Sequence, residues 1–437
     1  MKVGFISLGC SKNLVDTEMC IGVFKKEKFE IVNNPEDAEI IVINTCGFIE
    51  SAKEEAINTI LEMAEYKTNG NCKYIVAMGC LVQRYKEDLE KALPEVDLFI
   101  TIDEYEMFWE KIASLLKREL KSKNTLDYLE RVISTGNTTA YLKIAEGCSN
   151  KCTYCAIPFI RGPFVSRKME DVLEEAEALA KKGIKELIVI AQDTTKYGID
   201  IYGEEKLAEL LDKICKIDGF KWIRFLYSYP ESITDELIDV VKRNDKICKY
   251  FDIPLQHFSD KVLKMMNRKS DSASIERVIN KIRKEIPGVI LRTTMIVGFP
   301  GEDEDDFFKL YEFVNDAKFE KLGVFKYSKE DGTPAAKIKK QVHPKTKQSR
   351  LNKIMSLEQK ISKIKLEEKI GNEYEVLVDG FTPDGKYIIA RSYMDIRNED
   401  GVVFIKNDGN TKIGQFKICI ITDVKEYDLI GKLIPEK

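Results

Sequence analysis

Residues 139–168 read TAYLKIAEGCSNKCTYCAIPFIRGPFVSRK, an apolar run feeding a loop in which Cys148, Cys152 and Cys155 stand as C-x-x-x-C-x-x-C. A closed tetrahedral zinc site takes four nitrogen or sulfur ligands. No second C-x-x-C and no nearby histidine supplies the fourth, since the chain has only His257 and His343. A four-iron cluster fits three cysteines better: three irons take thiolates and the fourth stays open to a non-protein ligand. Ordinary buried thiols need no such spacing, and the other cysteines of the chain are scattered.

Around this loop, short apolar strands alternate with amphipathic helical stretches. Strands are expected near 139–145, 186–191, 221–228, 249–255, 289–297 and 321–327, with runs such as MEDVLEEAEALAKKG between them. Six βα units over residues 139–345 predict an incomplete barrel, whose catalytic groups project from the carboxyl ends of the strands. That edge would carry the cysteine loop, Gln192 and Asp193, Tyr227 and Ser228, Gln256 and His257, and the turn Gly298 to Glu302 that includes Gly301. A lone histidine at a strand end is more often structural than catalytic.

Residues 1–120 show three further βα units: KVGFISL, AEIIVIN and KYIVAM, each followed by a turn and a helical stretch. This pattern predicts a doubly wound parallel sheet. Cys10, Cys46 and Cys80 each fall one to three residues beyond a strand, the edge where open α/β sheets gather ligands. Three cysteines at one repeated address imply a second open-iron cluster. Cys20 and Cys72 lie elsewhere and read as ordinary small residues.

Residues 121–138 are polar and read as a linker, and 346–370 as a charged spacer helix. The β-rich runs of 371–437, separated by Pro, Gly, Asn and Asp, predict a small antiparallel β-barrel. Such barrels often hold RNA, yet this one has nine Lys and Arg against twelve Asp and Glu. Backbone phosphates call for the opposite sign. An acidic module suits a basic protein partner, or serves only as a solubilising cap.

Composition bounds the rest. At 437 residues the chain holds about three domains at ~150 residues each. A hydrophobic content of 44%, charged content of 32% and net charge −4 describe a globular protein with no global attraction for nucleic acid. Eleven cysteines without a secretory segment point to a reduced cytosolic compartment and metal-bound thiolates. The opening MKVGFISLGC is too short in its apolar run, and too polar at Ser7, for a lipoprotein signal. No run approaches the ~20 apolar residues of a membrane span.

The C-x-x-x-C-x-x-C loop with Tyr154 before its last cysteine resembles the signature of radical S-adenosylmethionine (SAM) enzymes. Two three-cysteine sets, with an α/β domain before the barrel and a TRAM-like β-barrel after it, resemble the methylthiotransferase family across essentially the whole chain. Within it, SLGCSKNLVDTE, CAIPFIRGPFVSR, AQDTTKYG, IPLQHFSDKVLKMMNR and RLNKIMSLEQKIS are similar to the branch that modifies an aspartate of small-subunit ribosomal protein twelve. The tRNA-modifying branch has a GCQMN-type opening and a QSGS-like run where Gln256-His257 stands here. Two departures are visible: Ser11 replaces a usual proline, and SYMDIRNEDG replaces a more regular ADAPEIDG-like run.

The resemblance implies two 4Fe-4S clusters. Cys148, Cys152 and Cys155 would hold the one that chelates and cleaves SAM; Cys10, Cys46 and Cys80 would hold an auxiliary one that carries sulfur. A radical is required because the aspartate β-carbon has no acidic proton for a base to remove. SAM then serves twice, as radical source and methyl donor, and Gln192, Asp193, Gly298, Gly301 and Glu302 are candidates for contacting it. The implied partners are ribosomal protein twelve, a low-potential electron donor such as flavodoxin or ferredoxin, and a sulfur donor. Membrane and direct nucleic-acid substrates are not expected. One rival is a tRNA methylthiotransferase of the same mechanism, which favours a basic barrel. Another is a non-catalytic iron-sulfur electron carrier, which normally has four protein ligands per cluster and needs no barrel mouth.

Overall fold

The computed structural model describes residues 1–120 and 125–435, so the first four linker positions and the last two residues lie outside the described residues. Strands β1 (Lys2–Ser7), β2 (Glu30–Val32), β3 (Ile40–Thr45), β4 (Tyr74–Gly79) and β5 (Leu98–Ile100) make a parallel sheet in the order β2-β1-β3-β4-β5. The runs IIVINT and YIVAMG are nearly continuously apolar because helices cover both faces. Ile41, Ile43, Ile75 and Ala77 pack with Ala56 and Ile60 on one side; Ile40, Val42, Val76 and Met78 pack with Phe24, Phe108 and Trp109 on the other. Each buried Ile, Val or Met side chain of this set stabilises by ~1.5–3 kcal/mol. Sequence reading misses β2 and β5, three-residue edge strands with too few residues for a period.

The central domain has β6 (Thr139–Lys143), β7 (Ala145–Glu146), β8 (Val165–Ser166), β9 (Glu186–Ile190), β10 (Trp222–Phe225), β11 (Tyr250–Asp252), β12 (Ile290–Val297) and β13 (Lys321–Lys326). Two parallel sheets, β6-β9-β10 and β11-β12-β13, meet through an Ile223/Ile247 bridge and a Ser228 N–H donated to Asp252 O at 2.9 Å. Among the described residues no ladder joins β13 back to β6, so the six strands form a partial barrel. Short strands β7 and β8 pair antiparallel and pinch the cysteine loop at its base.

The helix Pro344–Glu367 is more than a spacer. Ile354, Leu357 and Ile361 enter the central core, and the helix packs against the edge strand β13. The linker is likewise anchored: buried Arg131 pairs with Glu18 and Glu175 and donates to Tyr141 O, while Ser134 donates its N–H and hydroxyl to Glu18. It straps the first domain to the second.

Strands β14 (Glu373–Phe381), β15 (Tyr387–Ser392), β16 (Val403–Lys406), β17 (Phe416–Val424) and β18 (Leu429–Leu433) close a barrel in the order β14-β15-β16-β18-β17. It is not wholly antiparallel, because β18 returns beside β16 in the same direction to close the ring. The run read as an irregular departure, Tyr393 to Asp400, lies against the inner face of the partial barrel. There Met394 and Ile396 cluster with Tyr141, Ile188, Trp222 and Tyr250. Arg391 pairs with Glu186, which also pairs with Arg224, and Arg224 donates to Ser392 O and Tyr393 O. Asp395 pairs with Lys321, and Glu399 with Arg292, so part of the acidic excess faces inward. Among the described residues no helix is long and apolar enough to cross a membrane.

Candidate active site

Cys10, Cys46 and Cys80 follow β1, β3 and β4, which are neighbours in the sheet, and Ser7 opposite Asn44 opposite Met78 brings the strand ends to one level. The turns are tight. Gly9 has φ +85°, and a Cβ there would come within 2.7 Å of Cys46 Cβ; Gly79 has φ +96°, and a Cβ would collide with Asn44 Oδ1 at 2.1 Å. Only glycine brings these loops so close. Asn13 ties the edge together, donating to Leu8 O and Thr45 O and accepting from Cys80 Sγ at 3.4 Å. Cys10 caps the helix Ser11–Lys26 and Cys80 opens the helix Cys80–Ala92, so both stand at helix N-termini, where the dipole favours negative charge. Burial pushes the Cys80 thiol up to about 11, with Arg161 pulling the other way and Cys10 and Cys46 adding to the rise.

The second set sits at the mouth of the partial barrel. Cys155 N–H donates to Cys152 O at 3.1 Å, and Cys148 N–H to Gly162 O at 3.1 Å, fixing the loop. Burial raises Cys148 to about 11 and Cys155 to about 12. Arg268 lies 4.0 Å from Cys152 Sγ and stacks at 4.2 Å on Tyr229, whose hydroxyl is 3.8 Å from the same sulfur. All eleven cysteines are free. Among the described residues no three Cys, His, Asp or Glu side chains close round a single ion. Cluster ligands bind different irons and need not do so. The donor chemistry fits: two sets of three free thiols, each with a buried arginine to offset anionic charge.

The two domains meet at Cys80, which packs with Ala156 and Ile160 just past the second cysteine set. Arg161, six residues after Cys155, reaches 3.6 Å from Cys80 Sγ, donates to Asn13 Oδ1 and pairs with Asp16 at 2.8 Å and Glu146 at 3.1 Å. Lys143 pairs with the same two carboxylates. Burial opposes ionisation of Glu146, but Lys143 and Arg161 outweigh it and hold its carboxyl below the usual range. Gln192 donates to Glu146 at 2.9 Å and leaves its own buried Oε1 without a partner, the orphan expected of a group awaiting a ligand.

The other expected SAM contacts are more occupied. Asp193 accepts from Asn150 at 2.7 Å and from Thr195 N–H and hydroxyl, bracing the cysteine loop; with Cys148, Asn150 and Lys196 it lines a cavity of about 250 Å³. Glu302 accepts from Gly298 N–H at 2.6 Å, Phe299 N–H at 2.9 Å and Arg350 at 2.8 Å, stapling its turn to the helix Pro344–Glu367. A Cβ on Gly298 would strike Lys347, and one on Gly301 would crowd Met265. His257 is fully buried and accepts from Ser259 N–H. Lys12, Arg161 and Arg268 carry no local signal, because their contacts span domains or distant loops.

Three family models match in series: uncharacterized protein family UPF0004 over residues 2–101, the radical SAM superfamily over 142–314, and the TRAM domain over 370–434. Over its full length the chain is 65% identical to the ribosomal protein uS12 methylthiotransferase RimO of Alkaliphilus oremlandii (strain OhILAs), covering 100% of both proteins. The chain belongs to the RimO family. The member from Acetivibrio thermocellus is 48% identical, covering 100% of this chain and 99% of its own. The family members are radical SAM methylthiotransferases, and so is this enzyme. Among solved structures, the radical SAM methyltransferase TsrM of Kitasatospora setae with tryptophan and a SAM analogue bound matches with a TM-score of 0.58 at 11% identity. The match covers 82% of this chain and 89% of TsrM. That likeness speaks for the fold alone.

Proposed function

We propose that this enzyme transfers a methylthio group to the β-carbon of an aspartate in ribosomal protein uS12, the protein named in its relatives. The observation that carries the reading is the pair of three-cysteine sets, one on each of two domains, with Arg161 of the cysteine-loop domain reaching Cys80 of the other set. Cys148, Cys152 and Cys155 would hold the 4Fe-4S cluster that takes SAM; Cys10, Cys46 and Cys80 would hold the auxiliary one. When bound, these groups supply an oxidant able to break an unactivated C–H bond and a methylated sulfur to replace the hydrogen.

The chain's own residues position and shield. The cysteine loop is clamped at its base by β7 and β8, and Asp193 braces it through Asn150. Gln192, with its orphaned Oε1, is the foremost candidate for a polar contact to SAM; Asp193, Gly298, Gly301 and Glu302, which follow the ends of β9 and β12, are further candidates. Arg161 and Lys143 pair with Asp16 and Glu146 where the two domains meet, and hold the Glu146 carboxyl below its usual range. Turnover draws on an external electron donor of flavodoxin or ferredoxin type and a sulfur donor.

Anaerobic iron and sulfide analysis tests the division of labour. The loaded protein should hold about eight irons, and replacing Cys148, Cys152 and Cys155 together by Ala should leave half. Replacing Cys10, Cys46 and Cys80 should spare reductive SAM cleavage and abolish sulfur insertion. Loss of all iron from either folded variant would overturn the assignment.

A further inference from the structure

Lys12 stands two residues past Cys10 in the first turn of the helix Ser11–Lys26 and is only 7% exposed. Its ammonium lies 3.4 Å from the centroid of the Tyr227 ring, at the strand end of the other domain. Among the described residues it makes no ion pair. Burial opposes the ammonium, while Tyr227, Cys10 and Glu399 favour it and keep its pKa raised, with no carboxylate at ion-pair distance among the described residues.

Tyr227 is held at a cost of its own. Its φ is +62°, a left-handed conformation that bulky residues seldom enter. Two contacts enforce it: Tyr227 N–H donates to Asp252 at 3.0 Å, and Thr194 N–H donates to Tyr227 O at 3.1 Å. Strain maintained by such contacts is characteristic of ligand clamps, and here it presents the ring to Lys12.

The carboxylates around Lys12 are paired elsewhere, and its anionic neighbour is Cys10. The first turn of the Lys12 helix has no acidic residue and no side-chain cap, and Ser11 Oγ is buried without a partner. Glu399, on the segment inside the partial barrel, is taken by Arg292 at 2.9 Å. Asp16 and Glu146 are taken by Arg161 and Lys143. Lys12 is therefore a buried cation beside Cys10 that makes no ion pair with any carboxylate among the described residues.

We infer that Lys12 binds the side-chain carboxylate of the aspartate being modified, replacing part of its contact with Tyr227 and presenting the adjacent β-carbon to both cysteine sets. This inference rests on the uS12 reading above. It makes Lys12 a specificity-determining residue, because an amide of the same shape leaves the ammonium unpaired.

The test is a two-by-two binding cycle with the cluster-loaded enzyme. Wild type and Lys12→Met are each titrated with uS12 and with uS12 whose target aspartate is asparagine. Wild type should prefer the aspartate protein by roughly tenfold to a hundredfold, the range of a charge-assisted contact. Lys12→Met and a second variant, Lys12→Gln, should bind both proteins alike. A wild type that does not discriminate overturns the inference without reliance on any variant. So does a folded Lys12→Met that keeps the preference, or one whose only change is a cluster potential. Absence of wild-type binding to either protein overturns the uS12 reading itself.

Discussion

The guanidinium of Arg161 lies 3.6 Å from the sulfur of Cys80, although the two residues belong to different domains. The auxiliary cysteine set is therefore completed by the central domain. Arg161 also pairs with buried Asp16, and removing one partner of a buried pair costs about 3–5 kcal/mol. Arg161→Gln should lower the thermal unfolding midpoint clearly, with Arg161→Lys in between. An unchanged midpoint for Arg161→Gln would show that the network contributes nothing to docking.

Arg268 stands 4.0 Å from Cys152 Sγ with its plane on Tyr229. A fixed cation beside a cluster favours its reduced, more negative state. Arg268→Gln should move the midpoint potential of the cluster on Cys148, Cys152 and Cys155 to more negative values in an electron-paramagnetic-resonance redox titration. Arg268→Lys should recover much of the shift. Equal potentials in all three proteins would rule out an electrostatic role.

The C-terminal barrel looks separable in sequence, yet Arg391 reaches back to Glu186, which is fully buried with Arg224. Truncation after residue 370 strips the inner face of Met394 and Ile396 and removes one of the two arginines that pair with Glu186. The truncated chain should unfold at a markedly lower temperature than the full chain, and Arg391→Met should reproduce part of the loss. A truncated protein of unaltered stability would restore the view of the barrel as an appendage.

Glu358, on the helix Pro344–Glu367, is 2% exposed, and one of its carboxylate oxygens has no partner. Burial lifts its pKa to about 8, with Lys321 opposing and Glu320 reinforcing the rise. An unfolded glutamate titrates near ~4.3, so between there and pH 8 the folded chain binds the extra proton and its stability falls as pH rises. Glu358→Gln should remove this group's share of the slope, on the order of a few kcal/mol across the window. Unfolding midpoints at pH 5 and pH 8 that move in parallel for both proteins would place the proton elsewhere.

How much was legible follows from distance along the chain. Cys148, Cys152 and Cys155 announce themselves within eight residues, and Cys10, Cys46 and Cys80 through a repeated position after a strand. The six central strands show because each apolar run is long enough to read. Arg161 against Cys80, Arg131 between Glu18 and Glu175, and Lys12 over Tyr227 are pairings across 44 to 215 residues, which no local pattern encodes. Glu302 shows what a strand-end position leaves out: the sequence marks a polar residue at the turn, and only the fold shows its carboxylate accepting from Gly298, Phe299 and Arg350.

Substrate identity is tested most directly by offering purified uS12 and unmodified tRNA separately to the loaded enzyme, with SAM, reductant and sulfide under anaerobic conditions. Peptide and nucleoside mass analysis should find one methylthio group on an aspartate of uS12 and none on the tRNA. Methylthiolated tRNA beside unmodified uS12 would contradict the assignment.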